Sequence, residues 1–116
     1  MTGKERVEQD QPTVEVTADK CAERLKAVAD PDRLRIVECL QMGALTVGDI
    51  AEILSMEVVR VSHHLGVLRT NAILLVEKQG RHRVYRLNPE LLLGLKAKSL
   101  NFGCCRLELD AGWKPE

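Results

Sequence analysis

The spacing of apolar positions divides the chain into helical and strand-like stretches. Residues 1–15 are polar, carry Pro12 and show no apolar period, which predicts a mobile N-terminal tail. Thr17 then offers an N-cap to a helix from Ala18, with Cys21, Leu25 and Val28 at i, i+4 and i+7 as its inward stripe. Asp30-Pro31-Asp32 ends that helix and starts the next, because proline is tolerated in a first turn and Asp caps it. Leu34, Ile36, Val37 and Leu40 form the apolar side of the second helix, and Gly43 suits its end. Thr46-Val-Gly-Asp49 has the form of a variant capping box opening a short third helix with Ile50, Ala51, Ile53 and Leu54. After a turn at Ser55-Met56, a fourth helix is predicted over Glu57 to Arg69, with Val58, Val61, Leu65 and Leu68 inward.

Beyond Asn71 the period falls to two. Leu74 to Lys78, then Gln79-Gly80, then Arg81 to Leu87 reads as a β-hairpin with a Gly-bearing turn. Asn88-Pro89 signals another helix, rich in leucine (Leu91, Leu92, Leu93, Leu95, Leu100) and ending at Gly103. Those leucines exceed what one side of a small monomer buries, so part of that face is expected to meet another subunit. The expected organisation is a 1–15 tail, a 16–101 domain and a 102–116 Cys-bearing tail. The fold class is mainly α with a small β-hairpin. Two short helices joined by a tight turn and followed by a hairpin make a winged helix-turn-helix, whose second helix lies in a DNA major groove.

The 116 residues carry 17 Lys and Arg against 17 Asp and Glu, which at first argues against a nucleic-acid partner. The distribution reverses that. Between residues 57 and 87 there are six positives (Arg60, Arg69, Lys78, Arg81, Arg83, Arg86) and two negatives (Glu57, Glu77), a net of +4, leaving −4 for the rest. The basic segment is the fourth helix plus the hairpin, and all three histidines lie in it. Only Tyr85, Phe102 and Trp113 are aromatic, which disfavours single-strand binding by base stacking. The longest wholly aliphatic runs, Ile73–Val76 and Leu91–Leu93, fall far short of the ~18 residues a membrane span needs. The N-terminus lacks a signal-like apolar region, so a cytoplasmic location and reduced thiols are the expectation for the four cysteines.

Four segments in order, Ala27 to Ile36, Leu45 to Ala51, Val61 to Arg69 and Gly80 to Leu87, resemble the ArsR/SmtB family of bacterial repressors. The resemblance runs from about residue 20 to 100. It implies a homodimeric winged helix-turn-helix repressor that pairs through its first and last helices, binds double-stranded operator DNA and needs no resident cofactor. It places Val59, Arg60, Ser62, His63, His64 and Arg69 on the recognition helix, with His64 nearer the packing side, and Arg81, His82 and Arg83 at the wing tip. Arg suits guanine O6/N7, and Ser and His reach phosphates or base edges. Relatives begin this helix with a polar Ser-Gln-Ser-Thr-like run, whereas this chain has Glu57-Val58-Val59-Arg60, so a different base reading is expected.

The resemblance also bears on sensing. The third-helix thiolate site of the arsenic and cadmium sensors is replaced by Leu45-Thr46-Val47-Gly48-Asp49-Ile50, and Pro89 to Leu100 contains neither Asp nor His for a last-helix metal site. Sulfur remains: Cys21, Cys104 and Cys105 suit a soft ion such as As(III) as inducer. Against that stands the reading of Cys21 as an interface filler and Cys104-Cys105 as an exposed tail. Persulfide- and redox-sensing relatives pair a second-helix cysteine with one past the last helix, as Cys39 with Cys105 would be, although the matching position here holds Glu38. A regulator without a small-molecule sensor, a thiol enzyme or metallochaperone, and a winged helix that binds only protein complete the alternatives. No CxxC, no Ser/His/Asp constellation and no phosphate-cradling Gly-rich loop supports the enzyme reading.

Overall fold

A computed structural model describes residues 17–93 and 99–108. The expected N-terminal tail and the residues past Glu108, Trp113 among them, lie outside the described residues. Helix α1 (Ala18–Val28) opens with the Thr17 hydroxyl accepting from the Lys20 amide. Helix α2 (Pro31–Leu40) is capped by Asp30, whose carboxylate accepts from the amides of Asp32 and Arg33, with Pro31 in the first turn. Strand β1 (Leu45–Thr46) leads into α3 (Val47–Leu54), where Thr46 and Asp49 form a reciprocal capping box. Ser55, in the left-handed region at φ 55°, turns the chain into α4 (Val58–Thr70).

The hairpin is β2 (Leu74–Gln79) and β3 (His82–Leu87), paired antiparallel from Leu74↔Leu87 to Gln79↔His82. Gly80 takes φ 65° at the tip, a conformation that costs glycine nothing. Strand β1 adds on the other side of β3 (Leu45↔Tyr85), giving the order β1-β3-β2. The two residues of β1, where no strand was expected, therefore anchor the helix pair to the wing. The buried core gathers Ala27 and Val28, Ile36, Val37 and Leu40, Ile50 and Ala51, and Val61, Leu65 and Leu68 under Ile73, Leu74, Tyr85 and Leu87. Asn88, itself buried, donates to the Ala72 carbonyl and pins the end of the wing to the turn after α4.

Two expectations are corrected. Val58, expected inward, is 54% exposed, because the α4 stripe facing the core is Val61, His64, Leu65 and Leu68. Among the described residues the leucine-rich last helix does not form, and residues 94–98, Leu95 among them, lie outside the described residues. Asn88 does cap the Glu90 amide, but only a 3₁₀ turn (Pro89–Leu91) follows. The chain then extends into β4 (Leu92–Leu93), β5 (Ser99–Asn101) and β6 (Arg106–Glu108), a second antiparallel sheet with Leu92↔Leu100 and Leu100↔Leu107. The physical reason is period: Leu100 and Phe102 are buried at a spacing of two, which a strand end can satisfy. The expected interface through a last helix thus loses that helix among the described residues, and the chain stays packed past residue 101 as far as Glu108.

Candidate nucleic-acid interface and thiol cluster

The capping box at the start of α3 and the left-handed Ser55 hold α3 and α4 as a helix-turn-helix pair. With one side of α4 sunk in the core, its opposite side carries Val59, Ser62, His63 and Arg69, all exposed. Gly66 falls on the same strip, at i+7 from Val59 and i+3 from His63, and a Cβ built there would meet nothing within 4 Å. The wing presents Arg81, His82 and Arg83, all exposed, at the hairpin tip. Further along the wing, Arg86 lies 3.8 Å from Glu77 and is partly neutralised by it.

Two of the sequence-assigned residues pair with Asp32 on α2; the Arg60 side chain stays 59% exposed while doing so, whereas His64 is buried. Arg60 directs its guanidinium to Asp32 on α2, 2.6 Å from Oδ2, while Arg35 lies 2.6 Å from Oδ1. His64 is buried beside them. Arg33 Nη1 lies 3.0 Å from His64 Nδ1, and His64 Nε2 lies 3.4 Å from the Asp32 carboxylate. Arg33 Nε also donates to the Ala27 carbonyl at 2.6 Å, so the network spans α1, α2 and α4. Burial by itself would push the Asp32 carboxyl up; the Arg60 hydrogen bond and the charges of Arg60, His64 and Arg35 outweigh it and hold the group below its usual value of 3.8. The charge network was invisible to sequence reasoning because its members lie 28 to 32 positions apart; only Asp32 and Arg35, at i and i+3, could have been paired in advance. Asp30, Asp32 and His64 have ligand atoms within 4.8 Å of one another, but the surrounding arginines already satisfy Asp32.

The sulfurs converge within a single chain rather than across a dimer. Cys21 is buried on α1, while Cys104 and Cys105 occupy the exposed turn between β5 and β6. One potential ligand atom from each lies within 4.8 Å of the others, and Cys104 Sγ is 3.6 Å from Cys105 Sγ. Two contacts bring the turn to α1. Arg24, one helical turn after Cys21, donates to the Phe102 carbonyl at 2.8 Å, and the Phe102 ring is wholly buried. The turn is closed by the Phe102 amide on the Cys105 carbonyl and by Gly103, at φ 97°, donating to Asn101. The expectation of four free thiols is corrected: Cys21 and Cys104 are joined as a disulfide, their α-carbons 6.1 Å apart and within bridging range. Docking of the turn on α1 sets that spacing, so redox conditions decide between the bonded and the thiol state. Cys39 and Cys105 are free. Cys39 stands outside the cluster, and burial, with the Glu38 charge adding to it, pushes its thiol up and away from thiolate chemistry.

Comparison with known proteins bears directly on this arrangement. Residues 30–71, from the α2 cap to the end of α4, match the model of the bacterial regulatory protein arsR family. The transcriptional repressor SdpR of Bacillus subtilis is 35% identical over 77 residues, 66% of this chain and 86% of that protein. An arsenical resistance operon repressor of the same organism is 34% identical over 87 residues, 74% of this chain and 80% of its own length. The chain belongs to the arsR family of bacterial regulatory proteins. Among solved structures, a homodimeric winged helix-turn-helix DNA-binding domain from Mycobacterium bovis superposes with a TM-score of 0.60 at 29% identity, covering 62% of this chain and 67% of that one. This arsR-family chain is a DNA-binding transcriptional regulator, and α3–α4 with the β2–β3 wing are its winged helix-turn-helix. Among the described residues no helix is long and apolar enough to cross a membrane.

Proposed function

We propose that the protein is a homodimeric, cytoplasmic repressor without enzymatic activity. It holds operator DNA through Val59, Ser62, His63 and Arg69 of α4 and Arg81, His82 and Arg83 of the wing. A thiophilic ion such as As(III) releases it by binding Cys21, Cys104 and Cys105. Arg60 and His64 pair with Asp32 and set how α4 sits on α2. The observation that carries the sensor reading is the meeting of three sulfurs from α1 and the β5–β6 turn within 4.8 Å. Thiolates are the donors that select soft ions, and metal–sulfur bonds of ~2.3 Å put neighbouring sulfurs about 4 Å apart. The ion requires the reduced site: trivalent arsenic hydroxide and three thiols give the tris-thiolate and three waters. Because α1 packs against α2 and α4, a bond between the β5–β6 turn and α1 acts on the helix that carries the base-reading side chains. A dimer would use the exposed side of α1, where Leu25 is left to solvent, together with elements other than a last helix.

The test is a footprint and titration on a selected duplex under reducing conditions. Addition of As(III) is expected to weaken binding at least fivefold, as a coupling of ~1–3 kcal/mol provides. The Cys104→Ser/Cys105→Ser variant is expected to bind the same duplex and ignore As(III). Release of that variant at the wild-type As(III) concentration would refute the sensor assignment, and failure to select any sequence would refute operator binding.

A further inference from the structure

The first turn of α4 is chemically unusual for a surface that faces DNA. Of its residues, Val61 is wholly buried and Arg60 is committed to Asp32 at 2.6 Å. Beside the exposed but ion-paired Arg60, the turn presents aliphatic side chains: Val58 next to Val59, the latter 79% exposed. Folding does not explain Val59. A β-branched side chain is a poor choice for an exposed helix position, and an isopropyl group in water contributes no burial. By helical period Val59 heads the strip that continues through His63 and Gly66, the side of α4 that the core does not use. The N-terminal residues of a recognition helix are those that reach base edges. In the major groove, the apolar feature of an unmodified base pair is the C5 methyl of thymine, and the side chain suited to guanine at this turn, Arg60, is held by the protein.

We propose that Val59, flanked by Val58, contacts a thymine C5 methyl in each operator half-site, so that this position is read by apolar contact instead of by a hydrogen bond. The inference rests on the operator-binding reading and adds the base and the chemistry of its recognition. It also accounts for the position of Arg60: bound to Asp32, it orients α4 and leaves the neighbouring methyl groups of valine to make the contact.

The experiment takes the duplex enriched from a random library by the full chain and replaces its thymines, one at a time, with deoxyuridine, which removes the methyl and keeps the pairing. One methyl removed from an apolar contact is worth about fourfold in affinity. Wild-type protein is therefore expected to bind the uracil duplex about fourfold more weakly at one position per half-site. The Val59→Ala variant, which loses the contact in both half-sites, is expected to bind the thymine duplex about sixteenfold more weakly than wild type and to show no further loss with uracil there. Its melting temperature is expected to be no lower than that of wild type, since the side chain is exposed and alanine is the better helix former. Equal binding of thymine and uracil duplexes at every position by a protein that does select a sequence overturns this inference alone, as does an undiminished thymine preference in Val59→Ala. Absence of any enriched sequence overturns the regulator reading together with it.

Discussion

Arg60 on α4 and Asp32 on α2, 28 residues apart in the chain, share a hydrogen-bonded ion pair of 2.6 Å. Asp32 is only 8% exposed and also receives Arg35 and His64. The recognition helix is therefore held in orientation by a charge on the helix before the helix-turn-helix, and one carboxylate is the common point.

Removing that carboxylate charge has two expected consequences. Asp32→Asn leaves Arg60, Arg35 and His64 a single neutral acceptor oxygen in place of the carboxylate and should destabilise the fold by about 1–3 kcal/mol in urea unfolding. The pH dependence follows from the lowered value of Asp32. A group whose folded value lies below its unfolded one binds its proton more readily in the unfolded chain. Its contribution is thus complete above the unfolded value of 3.8 and fades as pH falls through the lower folded value. The stability gap between wild type and Asp32→Asn should be constant near neutrality and close in that acid range; a gap that widens on acidification would contradict the pairing.

Gly66 separates fold from function. An added Cβ meets nothing within 4 Å, so Gly66→Ala should raise stability by about 0.5–1 kcal/mol through helix propensity. On the strip shared with Val59 and His63, the same methyl should obstruct close approach to DNA. Thermal unfolding and operator titration are expected to move in opposite directions, and tighter operator binding by the variant would place Gly66 outside the interface.

At the wing, Arg81→Ala and Arg83→Ala should weaken binding to all sequences alike. Each phosphate left without its arginine should reduce the slope of log affinity against log salt by about 0.9. A change of sequence preference with an unaltered salt slope would mean that the wing reads bases instead.

Phe102 tests whether the β5–β6 turn is what delivers sulfur to α1. The ring is wholly buried, so Phe102→Ala should cost about 3–5 kcal/mol and loosen the turn that carries Cys104. As(III) affinity, followed by the thiolate-to-arsenic absorption of the reduced protein, should fall. By contrast, Cys39→Ala should leave that signal intact, because Cys39 stands outside the cluster. Loss of the signal in Cys39→Ala would move the site.

The sequence by itself determined four helices, their caps and the hairpin, because each signal is local. Thr17, Asp30 and the Thr46–Asp49 box act within three residues of themselves, and the hairpin turn needs one glycine at its tip. It also located the basic segment and singled out Cys21, Cys104 and Cys105. Tertiary structure alone decided the rest. Whether Leu92 to Asn101 coils or extends depends on which strand Leu100 finds, and a leucine-rich run with an Asn-Pro start looks helical until that partner is present. The pairing of Arg60 depends on an aspartate 28 residues away, and the meeting of Cys21 with Cys104 spans 83. Helical period assigns a side chain to a face, but the choice between DNA and a buried partner is made by what the other helices place beside that face.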